Sequence, residues 1–469
     1  MNYNESVRYL LTLGRELASP QQARAAKFDL HNIRAICERM GHPERRFASV
    51  HIAGTNGKGS TAAMLASIIQ AAGVRCGQAA GLRSGLYTSP HLLRINERIR
   101  LNGVDISDEE FAVSFTRVLM IIEELLASGT LAAHPTYFEC VTAIAFDAFA
   151  RAGTDLAVIE VGLGGRLDST NVIVPEVAVI TQIDFDHENL LGHSIEEIAA
   201  EKAGIIKQGA WVVSAAENPA AKKVIRQRSN EQGAHLVEID EAGRVLDVSA
   251  KDGRYRFRVM LSDRLGPGAA SEMEIAVPLA GRFQIRNALA AAAAARFLAQ
   301  RGFAISDRAI VTGIESVRWP GRLERLQESP AVYLDGTHNP SGAREVLAFW
   351  REHLAGRRIH LIYGAMRDKA IDEVAGLLFP RATTVILTQS PQPRSLSAEA
   401  LAQMTSHLAT NLEVIREPGA ALERALEIAQ RDEVIFATGS LYLVGDLRRH
   451  WDARSSIEYA EATRQTNAS

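Results

Sequence analysis

Short apolar, β-branched runs alternate with helical patterns along most of the chain. "FASVHIA" (47–53), "TDLAVIEVGLGG" (154–165), "EVAVITQI" (176–183) and "AWVVSA" (210–215) read as strands, and "SIEEIAAEKAGIIK" (194–207) as a helix between two of them. That rhythm predicts an α/β fold with a mostly parallel sheet covered by helices. Between about Arg244 and Pro278 the pattern changes to strict alternation, as in "YRFRVML" and "EMEIAVPL", which predicts an antiparallel extension on the first domain. "GRFQIRNALAAAAAARFLAQRG" (281–302) then reads as a packed helix that closes at Gly302. "VRWPGRLERL" breaks the pattern. Strand and helix alternation resumes in "AVYLDGTHNP", "RIHLIYGAM", "TTVILTQS" and "DEVIFATGS". The expected organisation is a large first domain over 1–316, a hinge at 317–321 and a smaller α/β domain over 322–469.

Length agrees with this, since 469 residues exceed one ordinary core. With 47% hydrophobic and 23% charged residues the composition is that of a soluble globular protein, and 52 basic against 55 acidic residues give no global field to recruit nucleic acid or an anionic membrane. Any anionic ligand must therefore be held by local groups. Cys37, Cys76 and Cys140 are scattered and odd in number, which argues against a disulfide framework or a thiolate metal site and predicts a reducing, cytoplasmic setting. The opening "MNYNESVRYLLTLGREL" has helical spacing without a basic n-region or an uninterrupted apolar core, so no signal peptide or membrane span is expected; the closing "EYAEATRQTNAS" is expected to fray. "QAAGVRCG" (70–77) is followed directly by "QAAGLRSG" (78–85), a short tandem duplication expected to lengthen a helix end or loop beside the active site.

The candidate chemistry begins at "HIAGTNGKGSTAAML" (51–65). The common phosphate loop G-x-x-x-x-G-K-[ST] would place a glycine at Ile52 and a hydroxyl at Gly59, and this chain does neither. Even so, Gly54, Gly57 and Gly59 free the backbone to turn N–H groups onto phosphate oxygens at a helix start, and Lys58 supplies a point charge for the outer phosphates. The magnesium that accompanies ATP needs oxygen ligands, for which Ser60, Ser89 and Glu160 are candidates. From the residues alone, Glu160 is equally well read as a satisfied structural carboxylate. His187 in "DFDHENLLG" reads first as a loop histidine, Lys202 as a solvated lysine paired with Glu201 or Glu197, Asn287 as an exposed helix residue and Arg322 as a surface one. "LDGTHNP" presents Asp335, Gly336 and His338 on a polar turn where a second domain would meet a ligand.

"HIAGTNGKGSTAAML", "GLYTSPHLLRINERIR", "PTYFECVTAIAF", "VIEVGLGGRLDSTN", "DHENLLG", "EKAGIIK", "GRFQIRNALAA", "PGRLE", "DGTHNPSG" and "ATGSLYLVGDLR" follow one another across nearly the whole chain. Together they resemble the folylpolyglutamate synthase and bifunctional dihydrofolate synthase family, within the wider Mur ligases, whose phosphate loop has this displaced spelling. The resemblance implies an N-terminal P-loop-type ATPase domain with a parallel sheet and a smaller C-terminal Rossmann-like domain. It also implies an ATP-dependent carboxylate–amine ligase that passes the γ-phosphoryl of ATP to a folate carboxylate and lets the amine of L-glutamate attack the acyl phosphate.

Carried over by position, the resemblance makes Gly54, Thr55, Asn56, Gly57, Lys58, Gly59 and Ser60 the phosphate cradle, with Asn287, Arg322 and Asp335 holding ATP. Ser89 and Glu160 resemble ligands of a first magnesium and His187 of a second. Lys202 matches the lysine that takes up carbon dioxide to become a carbamate, which requires a neutral amine. Lys58, Lys202 and His338 are the implied catalytic groups, and Phe28, Asp29, Leu30, Thr136, Asp168 and Ser169 the implied folate contacts. The implied partners are small molecules, ATP, L-glutamate and a reduced folate or dihydropteroate, on a monomer without nucleic acid or membrane. Two other readings are a sibling ligase adding an amino acid to a cell-wall precursor and a non-catalytic nucleotide-binding scaffold. The folate motifs speak against the first, and intact Lys58, Glu160, His187 and Lys202 against the second.

Overall fold

In the computed structural model, which describes residues 1–13, 29–73, 82–268 and 270–467, the apolar runs become the inner strands of two large sheets. Phe28, Cys76 and half of the duplicated stretch, 74–81, lie outside the described residues. The chain divides into two units, residues 1–278 with 282–318, and residues 279–281 with 319–469. The break at Arg318 and Trp319 falls inside the stretch taken for the hinge.

The first unit is built on eight strands. They are β1 (Ala48–Ala53), β2 (Ser84–Tyr87), β3 (Ile99–Leu101), β4 (Val104–Asp105), β5 (Leu156–Glu160), β6 (Val177–Ile180), β7 (Trp211–Ser214) and β8 (His235–Glu238). Their order is β4-β3-β2-β5-β1-β6-β7-β8, parallel from β2 to β8, with β3 and β4 added antiparallel at one edge. Strands β5 and β6 are buried throughout, which is why they read as unbroken apolar runs. The expected antiparallel extension is a separate three-stranded sheet of β9 (Gly243–Lys251), β10 (Arg254–Leu261) and β11 (Ser271–Val277). Tyr255, Phe257, Val259 and Leu261 of β10 turn inward while the arginines between them face out.

Helices begin where the sequence offers caps. Ser107 with Glu110, Thr136 with Glu139, and Ser194 with Glu197 each form a capping box ahead of the helices Asp108–Ala127, Tyr137–Arg151 and Ile195–Ala203. The alanine run lies in the helix Gln284–Gln300, where every residue from 290 to 295 is buried, so the run is a core element. Trp211 closes on it edge-to-face with Phe297 at 4.7 Å.

The second unit carries β12 (Glu324–Glu328), β13 (Ala331–Leu334), β14 (Ile359–Tyr363), β15 (Thr384–Leu387), β16 (Leu412–Val414) and β17 (Val434–Thr438) in the order β12-β13-β17-β14-β15-β16. All pairings but that of β12 with β13 are parallel. The last helix, Leu441–Asn467, runs into the polar stretch expected to fray. Among the described residues no helix is long and apolar enough to cross a membrane.

The helix Tyr137–Arg151 buries Phe149 against Phe47, with ring centroids 5.6 Å apart. Truncating Phe149 to alanine empties a ring-sized volume beside the sheet and is expected to cost about 3–5 kcal/mol. Urea unfolding of the first-unit signal measures this, and a loss below about 1 kcal/mol would show that the site relaxes around the gap.

Candidate active site

The site of the first unit grows from the end of β1. Past Ala53 the backbone turns through Gly54 at φ 153° and Gly57 at φ 87°, and the helix Lys58–Gly73 starts at once. Neither glycine has room for a side chain: a Cβ on Gly54 would stand 1.8 Å from the Thr181 hydroxyl, and one on Gly57 2.5 Å from Asn287 Oδ1. The loop is stitched to the segment after β6. Thr55 N donates to Gln182 O at 2.7 Å, Thr55 Oγ1 to Asp184 O at 2.9 Å, and Thr181 Oγ1 to Asn56 O at 2.8 Å. A turn held at a helix start, with glycines where a Cβ would not fit, is the geometry in which backbone N–H groups hold phosphate oxygens.

Two lysines converge on this loop. Lys58 Nζ donates to Gly54 O and Thr55 O, both at 3.0 Å, and Lys202 Nζ donates to the same Gly54 O at 2.9 Å. The solvated reading of Lys202 is thereby corrected, since the residue is only 4% exposed. Its supposed partners are otherwise engaged: Glu201 pairs with Arg166 at 2.8 Å, and Glu197 accepts from the N–H and hydroxyl of Ser194 in the capping box. Asn287 is corrected too. It is buried, and its Nδ2 donates to Gln284 Oε1 at 2.9 Å while Gln284 Nε2 donates to Ser60 Oγ at 3.3 Å. Gln284 escaped the sequence reading, although its spacing of three from Asn287 in a helix puts both on one face.

Glu160 ends β5 and is 4% exposed, and its Oε2 accepts from Ser89 N at 3.2 Å. His187, at φ 52°, opens the short helix Glu188–Leu191, and its Nε2 lies 3.8 Å from Asp186. Among the described residues no group of three or more His, Cys, Asp and Glu side chains is placed to hold a metal. The buried Glu160 carboxylate fits magnesium all the same, because that ion is commonly held by one or two carboxylates while phosphate oxygens and water complete its shell.

The implied folate contacts have structural work of their own. Thr136 caps its helix, its hydroxyl donating to Glu139 Oε2 at 2.8 Å. Asp29 Oδ1 accepts from His31 N at 2.8 Å, and Leu30 is buried with Ile33 and Ile36 in the core. Asp168 is buried and accepts from Leu163 N at 2.9 Å and from both the N–H and the hydroxyl of Thr170; Ser169 follows in the same short turn. Burial raises the Asp168 carboxyl above the usual carboxylate range, against these hydrogen bonds.

In the second unit Asp335 follows β13 and is buried. Its Oδ2 accepts from Leu323 N at 2.8 Å and its Oδ1 from Thr337 N at 2.9 Å. Arg322 Nη1 donates to Gly321 O at 2.9 Å. His338 Nδ1 lies 2.9 Å from Gly336 O, and because a carbonyl oxygen only accepts, Nδ1 carries a proton toward it. Asp335, Arg322 and His338 are thus held around one loop of this unit.

Residues 107–295 match the model of the Mur ligase middle domain, and residues 321–441 that of the Mur ligase, glutamate ligase domain. The dihydrofolate synthase/folylpolyglutamate synthase of Bacillus subtilis is 35% identical over 422 residues, 90% of this chain and 94% of that one. Among solved structures, Mycobacterium tuberculosis folylpolyglutamate synthase complexed with ADP superposes with a TM-score of 0.83 at 30% identity, covering 95% of this chain and 97% of that one. The bifunctional folylpolyglutamate synthase/dihydrofolate synthase of Yersinia pestis, complexed with AMPPNP and Mn ion, gives 0.77 at 28% identity over 96% and 98%. With both domain models in order and a relative this similar along nine-tenths of its length, the chain belongs to the folylpolyglutamate synthase/dihydrofolate synthase family of Mur ligases.

Proposed function

We propose that this protein is an ATP-dependent ligase that joins L-glutamate to a folate carboxylate, extending folates and converting dihydropteroate to dihydrofolate. The observation that carries the reading is the meeting of Lys58 and Lys202 at the Gly54 carbonyl, which brings a buried lysine from a distant helix to a phosphate loop. Nucleotide complexes of the relatives, one with manganese, support binding of ATP and a divalent metal.

In this reading the turn at 54–60 seats the phosphates, and Lys58 leaves the loop carbonyls to follow the γ-phosphoryl as it moves. Such transfer is catalysed mainly by positioning and charge neutralisation. The folate carboxylate oxygen takes the phosphoryl group, ADP leaves, and the resulting acyl phosphate gives the carbonyl a good leaving group. The uncharged amine of glutamate attacks that carbonyl, phosphate departs, and the amine proton is lost as the amide forms. Glu160 and Ser89 would hold a first magnesium and His187 a second, supplying positive charge at the phosphate oxygens. Lys202 as a carbamate would turn a cation into an anion beside them. Asn287, Arg322 and Asp335 serve ATP, His338 serves the incoming amine, and 317–321 is the linker. The folate contacts are Asp29, Leu30, Thr136, Asp168 and Ser169.

The deciding experiment is incubation with MgATP, L-glutamate and either dihydropteroate or tetrahydrofolate, with products read by mass spectrometry. A ligase releases phosphate only when acceptor and glutamate are both present; release without them would mark an ATPase and sink the reading. Lys58→Ala is expected to lower turnover by about a hundredfold or more, as loss of a transition-state charge contact does. Lys202→Ala should lower turnover comparably while leaving a cooperative thermal transition, with partial recovery in added acetate or formate. Near-normal turnover in that variant would remove the carbamate role. Chelation by EDTA should abolish turnover and excess magnesium restore it; activity that survives chelation would overturn the metal assignment.

A further inference from the structure

One buried histidine of the first unit is unused by this chemistry. His51 sits on β1, three residues before Gly54, fully enclosed. Its Nε2 lies 2.8 Å from Thr170 Oγ1, and the Thr170 hydroxyl in turn donates to Asp168 Oδ1. A hydroxyl has one proton. Because Thr170 spends it on Asp168, Thr170 must accept from His51, which fixes the ring with its proton on Nε2. Burial first, and the charge of Lys207 second, push the ring down to about 3, so it stays neutral at any working pH. Nδ1 is buried without a hydrogen-bond partner, so all of the ring's polar bonding goes to Thr170.

The far end of this chain of bonds is a clamp. Asp168 gathers Leu163 N and Thr170 N across the loop that leaves Glu160, closing residues 163–170 on themselves. The same loop grips the end of the helix that bears Lys202. Arg166 N donates to Glu201 O at 2.8 Å, and Asn171 Nδ2 donates to Arg166 O at 2.9 Å and Gly204 O at 3.2 Å. Strand β1 needs no help from His51 to keep its place, since it is paired along its length with β5 on one side and β6 on the other. The loop has no such ladder.

We propose that His51 and Thr170 are positioning residues, a buried relay from the phosphate-loop strand that orients Asp168 and so sets the 163–170 loop for the acceptor substrate. The proposal deepens the ligase reading and rests on it for the identity of that acceptor as a folate. It assigns no contact with substrate to His51 or Thr170.

Thr170→Val keeps the shape and the backbone N–H but removes the hydroxyl, and Thr170→Ser restores it. T170V is expected to raise the KM for the folate acceptor about tenfold or more, as loss of a hydrogen bond to a charged group does, with the KM for MgATP unchanged within about twofold. T170S should stay within about threefold of the parent. A substrate-free readout accompanies the kinetics: amide hydrogen exchange at Leu163 and Thr170 should quicken about tenfold in T170V, while residues 54–60 keep their protection. If T170V does not fold, Thr170→Ala serves in its place. Unchanged exchange in the loop, an unchanged acceptor KM, or acceptor and MgATP KM rising together would each overturn the relay. Should the parent protein show no ligase activity at all, the functional reading fails, and exchange alone decides whether the relay orders the loop.

Discussion

The active region of the first unit depends on how near the backbone of β1 can come to Thr181. Neighbouring parallel strands lie about 4.8 Å apart, and any side chain at the crossing would force them open. At Gly54 the missing Cβ lets the turn pass so close that Thr181 Oγ1 reaches both Ala53 O at 3.3 Å and Asn56 O at 2.8 Å. The turn is then held from β6 as firmly as from its own strand. With the loop fixed this way the Gly54 carbonyl accepts from both lysines, Lys202 from a buried position and Lys58 from a partly exposed one.

Different parts of this arrangement were legible in the sequence for different reasons. Inner strands such as "LAVIE" announce themselves because burial on both faces leaves only apolar residues, and β10 does so because burial on one face imposes a period of two. Caps are local and equally visible. What fails is any question whose answer lies across the chain. Nothing within a few residues of Lys202 says that it leaves its own glutamates for a carbonyl 148 residues earlier. Arg166, which takes Glu201 away, comes from yet another loop. The motif resemblance singled out Lys202, but its burial came from the fold. Thr136 and Asp168 show the opposite case: residues marked by resemblance turn out to organise a cap and a loop, roles that a resemblance to a binding motif does not reveal.

The second unit solves a similar problem by other means. Its candidate groups sit past the end of β13, where one buried carboxylate, Asp335, accepts from backbone on either side of the strand it follows. Each of its oxygens has a hydrogen-bond donor, as a polar group in so enclosed a place requires. Leu323, at φ 44°, is one of the bonds' donors and holds a left-handed conformation that a branched side chain reaches only under constraint.

The alanine helix has a further consequence. Between Asn287 at its start and Phe297 near its end, the six consecutive alanines from 290 to 295 are alike and all enclosed. Gaining or losing one alanine would leave composition and helix propensity almost unchanged. It would, however, turn everything beyond it by about 100° and shift it by about 1.5 Å along the axis. Phe297 would swing away from Trp211 while Asn287 stayed against Gly57. In this element the chain is constrained in its count of residues more than in their kind, so inheritance must preserve phase there as strictly as it preserves identity at the phosphate loop.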